Sequence, residues 1–386
     1  MPRQPGLDTL RAIAILWVMV FHAIIAQITL MLPEIAWFGW MGVDIFFVLS
    51  GYLIGWQLLK PYSQGDTPSL RTFYLRRAFR ILPAYLVVVA LYFGVPSFRE
   101  TEEIQPLWQF LSFTENYFID YFHNKAFSHV WSLCVEEHFY LVFPLLAALL
   151  MRKPSARRVV AVFVLFIVAG IAWRSGIWQL LLAPLKGLPY AEGSFGQRYM
   201  EWIYYPSHTR LDGLIAGVAL ATIRAFRPAL WSRLGERANR ITLIGLAGFA
   251  TSVWLFQSRT GFSGASIGYP LLSWSLACFV LAATRRDSWL GARAIPGMTT
   301  VAAMAFSLYL SHKAMLHLAQ TYVVLPNALD GALAFAVYVG AIALGGATLY
   351  LGVERPFLIL RERLIGPERS QPATLEAQDA RASSVA

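Results

Sequence analysis

Long runs without a charged residue constrain this fold more than any other feature of the sequence. Residues 12–33 contain no Lys, Arg, Asp or Glu, and residues 35–59 contain only Asp44. A helix that crosses a bilayer needs about 20 mostly apolar residues, and both runs reach that length. Charged residues make up only 14% of the chain, whereas a typical soluble domain has about 25%. The runs are unbroken rather than alternating, so we predict an all-α polytopic membrane protein.

Extending each run by a few residues predicts about ten transmembrane helices. They cover 10–30, 36–58, 80–97, 131–151, 158–174, 204–223, 241–257, 266–284, 299–320 and 331–352. With the N-terminus inside, the cytoplasmic segments hold 24 of the 32 Lys and Arg residues, and the outer segments, which include Arg174, hold six. Cytoplasmic loops are enriched in basic residues, so both termini are predicted to be cytoplasmic. The net charge of +10 is thus interpreted as a topology signal, and no nucleic-acid partner is expected.

Few ionisable residues lie within the predicted spans. They are His22, Asp44, Glu136, Glu137, His138, Arg210, Asp212, His312, Lys313 and His317. Such groups are costly at membrane depth and usually face the interior of the bundle, where they have a role. The structural alternative is an ion pair between Arg210 and one of three acids: Asp44, Glu136 or Asp212. For Arg210 and Asp212 this alternative is at least as strong as a functional one.

Two further patterns in the first 80 residues suggest chemistry. His22 lies about 16 Å along its predicted helix from Arg11, and because histidine titrates near neutral pH it is a candidate general base. Arg77 and Arg80 are three residues apart and share one helix face, where paired guanidinium groups could hold phosphate. By residue type alone, a role in fixing topology and contacting lipid headgroups is favoured for these two arginines.

Six short strings then follow one another in a recognisable order. They are Gly6-Leu-Asp-Thr-Leu-Arg11 with Phe21-His22, Gly42-Val-Asp44 through Ser50-Gly51-Tyr52, Phe73 through Pro83, His129-Val-Trp131-Ser132 through Tyr140, Arg210-Leu-Asp212, and Tyr309-Leu-Ser-His312 followed by Glu354-Arg355-Pro356. Together they resemble the acyltransferase 3 family of bacterial integral-membrane O-acyltransferases over about residues 5–360. The resemblance implies a transmembrane acyltransferase domain over 1–360, followed by a largely disordered cytoplasmic tail over 361–386. A stand-alone membrane enzyme, without a soluble esterase-like domain, is expected.

The resemblance also implies roles for individual residues. In the family pattern His22 is the catalytic base, and Arg77 and Arg80, together with Arg11, contact an acyl-coenzyme A donor. Glu136 belongs to the same site. Asp44 or Glu136 could orient the imidazole or bind the acceptor.

The other motif residues are expected to contact substrate. These candidate substrate-binding residues are Trp131, Arg210, Asp212 and His312. Many family members have Trp before this last histidine, where the present chain has Ser311, so the wall beside the acceptor is expected to differ.

These implications define one predicted activity. Acyl-CoA, with acetyl as the expected acyl group, would donate from the cytoplasm to a hydroxyl of a glycan, lipid-linked sugar or small molecule in the bacterial cytoplasmic (inner) membrane. No metal is expected, because no His/Cys cluster has zinc spacing. Direct transfer and an acyl-histidine intermediate remain open. The alternative class is a transporter or flippase of an acylated lipid or glycan, since buried charges also suit transport.

Overall fold

The computed structural model describes residues 4–26, 28, 33–189 and 193–366, and within these ranges regular structure is helical. Its α-helices are α1 (Pro5–Ile25), α2 (Gly42–Ser63), α3 (Leu70–Gly94), α4 (Leu107–Leu111), α5 (Glu115–Phe118), α6 (Trp131–Arg152), α7 (Ala156–Ile177), α8 (Phe195–Tyr199), α9 (Asp212–Phe226), α10 (Pro228–Glu236), α11 (Ala238–Leu255), α12 (Tyr269–Ala283), α13 (Met298–Ala319), α14 (Gly331–Leu349) and α15 (Arg355–Ile365). The all-α prediction is therefore confirmed for the described part of the chain.

Seven helical segments in the described ranges are long and apolar enough to cross a membrane. They are Pro5–Ile25, Glu34–Ser63, Leu70–Gly94, Ser128–Met151, Ala156–Leu185, Gly264–Ala283 and Gly331–Ile365. An eighth is possible if α9 and α10, bent by 113° at their junction, count as one broken span. Each of the ten predicted spans overlaps a helix. The chain is thus a multi-pass membrane protein, while the count of ten and the orientation of the termini stay predictions.

One predicted span is shorter than expected. The span predicted at 204–223 is helical in α9 only from Asp212, because a π-helical turn at Met200–Tyr204, Pro206 and a 3-10 turn at Ser207–Thr209 precede it. A proline cannot donate the backbone hydrogen bond that would join these turns into one helix. This break lets the chain before α9 approach the bundle as irregular backbone.

The bundle is organised around α2. In the apolar 18-residue stretch of Glu34–Ser63, 78% of the positions are buried, whereas in that of Ala156–Leu185 only 6% are buried. A helix that is apolar on all sides and enclosed by protein is a central helix, so α2 forms the centre and α7 lies on the lipid side. Around α2 pack α1, α6, α9 and α12. This arrangement brings residues of α1, α2 and α6 together in the interior.

Glycines allow α2 and α9 to approach closely. A methyl group built on Gly217 would overlap backbone atoms of Val48 and Tyr52, and one on Gly51 would overlap the backbone of Leu214. Small residues at such interfaces let membrane helices pack backbone against backbone, since no hydrophobic drive acts between helices in lipid. The position of α2 therefore depends on Gly51 and Gly217 having no side chain.

The segment between α3 and α6, which the predicted topology makes an outer loop, contains the short helices α4 and α5. Its aromatic rings stack on α3: Phe127 lies 4.2 Å from Tyr92 between ring centroids, and Phe110 lies 5.7 Å from Phe127. Lys313 of α13 binds Glu100 at 2.6 Å. The loop is thus fastened to the bundle rather than loosely attached.

The predicted tail divides at residue 366. Residues 361–365 belong to α15, which packs against α3. The remainder of the predicted disordered tail, residues 367–386, lies outside the described residues.

Gly217→Ala tests the packing of α2 on α9. The added methyl must push the two helices apart, and overpacking of this kind costs about 1–3 kcal/mol. We expect a lower unfolding temperature for the detergent-solubilised protein, followed by tryptophan fluorescence. Gly340→Ala on α14 is the matched control, because a methyl there meets no atom within 4 Å. Equal unfolding temperatures for the two variants would contradict the packing argument.

Candidate functional site

Helix α1 carries two of the predicted site residues on one face. Arg11 and His22 are eleven residues apart, which in an α-helix is about 16 Å of rise and about 20° of rotation. The described helix is continuous over Pro5–Ile25, so the two side chains leave it in nearly the same direction. A ligand that contacts Arg11 therefore lies on the same side of α1 as His22.

His22 is hydrogen-bonded to a second predicted residue, His312 of α13. The two atoms are Nδ1 of His22 and Nε2 of His312, 2.8 Å apart. On its other side, Nδ1 of His312 lies 2.8 Å from the carbonyl oxygen of Tyr309 and 3.1 Å from that of Leu308. His312 is buried and His22 half-buried. We call His22 and His312 the histidine pair.

The backbone carbonyls determine which nitrogens of the histidine pair hold protons. A carbonyl oxygen only accepts, so Nδ1 of His312 must donate to Tyr309, and Nε2 of the neutral ring is left as an acceptor. Nδ1–H of His22 then donates to that acceptor. In this arrangement Nε2 of His22 carries a free lone pair, as a general base requires.

A third histidine, His129, adjoins the pair and was not singled out by sequence reasoning. Its ring centroid lies 5.0 Å from that of His312 and 6.1 Å from that of His22. Its Nε2 lies 3.0 Å from the carbonyl oxygen of Tyr309, to which it donates. The available signal was its position at the start of the motif His129-Val-Trp131-Ser132. Within the described ranges, no His, Cys, Asp and Glu side chains form a group arranged to hold a metal ion.

Below the histidine pair on the same face of α1 lies a cavity of about 440 Å³. Its charged lining is mostly basic and comes from α1, α3 and α15: Arg11, Arg76, Arg77, Arg80 and Arg361. Glu136 is the one carboxylate among the described lining residues. We call this space the arginine cavity. An excess of guanidinium groups in a recess suits a ligand with several negative charges.

Glu136 faces the arginine cavity. Ser50 donates to its Oε1 at 2.7 Å and Tyr140 donates to its Oε2 at 2.9 Å. The guanidinium of Arg77 lies 4.0 Å from the centroid of the Tyr140 ring. Glu136 therefore holds a tyrosine that supports one of the predicted donor-binding arginines.

Asp44 or Glu136 was expected to orient the imidazole of His22 or to bind the acceptor, and the described polar contacts of both carboxylates are with residues other than His22. Asp44 pairs with Arg210, Glu136 is held by Ser50 and Tyr140, and His22 is held by His312. The physical reason is that a backbone carbonyl already fixes the tautomer of His312, so the imidazole of His22 has an uncharged orienting partner.

Tyr309 and Ser132 form the wall between the arginine cavity and the histidines. Both line the cavity, and their hydroxyl oxygens are 2.6 Å apart. The Tyr309 hydroxyl also donates to the carbonyl of His129, while the Tyr309 carbonyl accepts from His129 and His312. One tyrosine thus contacts the cavity with its side chain and the histidines with its backbone.

Arg210 forms the ion pair that the structural alternative anticipated, with Asp44 as its partner. Nη2 of Arg210 lies 2.8 Å from Oδ1 of Asp44, and both side chains are buried. The guanidinium also faces three aromatic rings at 4.2–5.3 Å from their centroids, those of Tyr269, Tyr204 and Trp131. Aromatic faces and a carboxylate together compensate a buried cation.

Asp212 pairs with Arg174, which the sequence placed in an outer loop. That placement is wrong: Arg174 lies in α7 and is 1% exposed. Its Nη1 and Nη2 bind the two carboxylate oxygens of Asp212 at 2.8 and 3.2 Å. Nε and Nη2 donate to the carbonyls of Ala265 and Ser266, in the π-helical turn that precedes α12. Because these partners compensate its charge, Arg174 lies within α7 rather than at the end of the helix. Counting charges along the sequence therefore misplaced it.

An ion pair also fastens the outer loop beside the histidine pair. Lys313 follows His312 directly, and its Nζ lies 2.6 Å from Glu100. Burial works against ionisation of Glu100, but the ammonium group of Lys313 prevails and lowers the pKa of this carboxyl below its usual value. Glu100 also accepts from the backbone amide of Phe127 at 3.1 Å. The segment between α3 and α6 is therefore held to α13 by a charged contact.

The fold and site together define a class of polytopic membrane protein with a histidine pair above a basic recess. The family model described as "Acyltransferase domain" matches residues 4–351. The chain therefore belongs to the acyltransferase 3 family, as its sequence motifs predicted, and by family it is an acyltransferase that transfers groups other than aminoacyl groups.

Two curated relatives illustrate the likeness. The chain is 28% identical over 344 residues to "O-acetyltransferase OatA" of Staphylococcus aureus (strain NCTC 8325 / PS 47), covering 83% of this chain and 52% of the relative. It is 27% identical over 379 residues to "Putative O-acetyltransferase SAS0844" of Staphylococcus aureus (strain MSSA476), covering 92% and 57%. The chain thus spans about half the length of the curated relatives it matches. No solved structure matches it significantly.

Arg174→Ala tests whether Asp212 serves structure. The substitution leaves a carboxylate buried without its partner, which typically costs about 3–5 kcal/mol. We expect a large drop in unfolding temperature. Replacing both partners, as Arg174→Met with Asp212→Leu, should recover most of it because no charge is then buried alone. If Asp212 instead contacted substrate alone, Asp212→Asn would lower activity while leaving the unfolding temperature unchanged.

Proposed function

We propose that this protein is an O-acetyltransferase of the bacterial cytoplasmic membrane. It transfers acetyl from cytoplasmic acetyl-CoA to a hydroxyl of a glycan, lipid-linked sugar or other small hydroxylated acceptor. The observation that carries the proposal is the 2.8 Å contact between His22 and His312, directly in line with a cavity lined by five arginines. The names of the relatives, both O-acetyltransferases, support acetyl as the transferred group.

The donor binds in the arginine cavity. Arg11, Arg77 and Arg80 contact its diphosphate through charge-assisted hydrogen bonds, which are the strong ones in proteins. Arg77 is pre-oriented for this by Tyr140, and Arg80 lies 3.9 Å from Glu354. The thioester then points along α1 toward His22. Tyr309 and Ser132, at the end of the cavity, are the side chains that the thioester meets there.

His22 acts as the general base. Its Nε2 takes the proton of the acceptor hydroxyl while the oxygen attacks the thioester carbonyl. The carbon–sulfur bond breaks, and the imidazolium returns the proton to the leaving thiolate. During the step His312 accepts from Nδ1–H and so stabilises the charge on His22. The products are the acetyl ester and free CoA.

Acceptor contacts are assigned to the far side of the histidines. Trp131 begins α6 and Arg210 lies just before α9, and we retain both as proposed acceptor-side residues. Arg210 acts together with Asp44, whose charge it balances. Asp212 is assigned to structure because Arg174 saturates both of its oxygens.

The decisive experiment follows free CoA. The full chain, reconstituted in nanodiscs, is incubated with labelled acetyl-CoA and a panel of hydroxylated acceptors, and free thiol is measured with labelled product. Acceptor-dependent thiol release supports the proposal. Movement of a glycan or lipid across vesicles without thiol release would favour the transporter class instead.

His22→Ala should abolish transfer. Loss of a general base typically costs about 10²–10⁴-fold in rate, and His312→Ala should cost less because it removes only the partner that orients the base. The measurement is thiol release at saturating acetyl-CoA. His123→Ala is the control, since this histidine lies in the outer loop and binds Asp120. Near-normal rates for His22→Ala would refute the assignment.

Arg77→Ala should weaken donor binding more than it slows the chemical step. We expect KM for acetyl-CoA to rise about tenfold with a smaller change in kcat, because the guanidinium contacts the donor before and during the reaction. Arg77→Lys should rescue only in part, since an ammonium group cannot stack on Tyr140 as a planar guanidinium does. Arg157→Ala, exposed at the start of α7, is the control. An unchanged KM for Arg77→Ala would remove it from the donor site.

A further inference from the structure

The arginine cavity contains more arginines than the proposed diphosphate contacts need. Arg11, Arg77 and Arg80 were predicted as donor contacts, but Arg76 and Arg361 line the same space. Arg361 comes from α15. Only the first residues of this helix belong to the sequence motifs that resemble the family. Arg361 also pairs with the exposed Glu362 at 3.7 Å, which does not line the cavity. The two additional guanidinium groups add to the positive charge of the recess, which favours binding of an anion there.

Helix geometry puts these two arginines on the side of Arg80 away from the histidines, and we call this end of the cavity its mouth. On α3, Arg76 precedes Arg80 by four residues, which is about 6 Å toward the start of the helix. On the other wall, Glu354 lies 3.9 Å from Arg80, and Arg361 follows Glu354 by seven residues, about 10 Å of helix. Both helices therefore place their second arginine on the side of Arg80 away from His22.

The mouth is also held together. Nη2 of Arg76 donates to the carbonyl oxygen of Gly366 at 2.8 Å, which fastens the end of α15 to α3. The two walls that carry Arg76 and Arg361 are thus fixed relative to each other, and a fixed pair of cations binds an anion at less entropic cost.

The chemistry of the donor matches this spacing. Coenzyme A carries its phosphates in two places, a diphosphate within the chain and a phosphate monoester on the ribose, and the acyl group lies at the opposite end. With the thioester pointing toward His22 the diphosphate lies at mid-cavity, and the ribose end lies at the mouth. A phosphate monoester carries up to two charges and three acceptor oxygens, which suits recognition by guanidinium groups.

We propose that Arg76 and Arg361 form a second anion subsite at the mouth of the arginine cavity, which binds the ribose 3′-phosphate of the coenzyme A donor. This inference rests on the proposed function and specifies its donor more closely. The subsite selects intact acyl-CoA over thioesters that lack this phosphate, and it makes α15 part of donor recognition.

The test compares two donors on one variant. The full chain is placed in nanodiscs of zwitterionic lipid, so that no anionic headgroup competes, and affinities are measured for acetyl-CoA and for 3′-dephospho-acetyl-CoA. We expect the unmodified protein to prefer acetyl-CoA about tenfold, the size of one charge-assisted contact. Arg361→Gln should remove that preference by weakening acetyl-CoA alone. Unchanged affinity for the dephospho donor shows that the variant is folded.

Arg363→Gln is the matched control, because Arg363 is exposed, lies on the same helix and does not line the cavity. It should keep the full preference. Equal affinity of the unmodified protein for the two donors, or a preference that survives in Arg361→Gln, would overturn the subsite and leave the acetyltransferase proposal intact. Absence of binding and transfer with either donor would instead contradict the proposed function itself.

Discussion

A buried charge in a bilayer finds no water to compensate it, and the interior of this bundle is organised around that constraint. Arg174 of α7 pairs with Asp212 of α9, and Arg210, just before α9, pairs with Asp44 of α2. Each pair joins helices that are distant in sequence, and each arginine has further carbonyl or aromatic partners. Breaking such a pair is costly because a single charge is left behind. These contacts therefore fix which faces of α2, α7 and α9 point inward.

The same constraint explains why the histidine pair differs from a histidine–carboxylate arrangement. A carboxylate beside His22 would be a further buried charge in need of a cation. His312 avoids this, because its proton goes to the Tyr309 carbonyl and its remaining lone pair receives His22. The orienting partner is neutral, and in the proposed mechanism it accepts a hydrogen bond from His22 as positive charge develops on that ring. Two carboxylates near the site do have arginines close by: the half-buried Glu136 in the arginine cavity and the buried Glu354 beside Arg80.

The parts of this structure that depend on a local sequence pattern could be predicted from the sequence. Unbroken apolar runs predicted the helices, and the rise of an α-helix placed His22 about 16 Å along α1 from Arg11. The prediction failed where a charged residue is neutralised by a partner on another helix of the bundle. Arg174 was misplaced because a charge inside a run looks like the end of a span, unless the partner on another helix is known.

The residues that were missed share that origin. His129 lies in a 3-10 turn directly before α6, and only the fold brings its ring to 5.0 Å from His312. Arg361 was counted as a topology charge because nothing in its neighbourhood of sequence reveals that α15 folds back along α3. The break before α9 likewise follows from Pro206, which was visible in the sequence but lay inside a run that was otherwise apolar enough to span.

Tyr309 connects the two halves of the site. Its hydroxyl contacts Ser132 at the end of the arginine cavity, and its carbonyl accepts from both His129 and His312. The end of the arginine cavity and the hydrogen bond that fixes the tautomer of the histidine pair therefore depend on the position of the same residue. Lys313, which follows His312 in α13, binds Glu100, so the segment between α3 and α6 is attached to α13 as well.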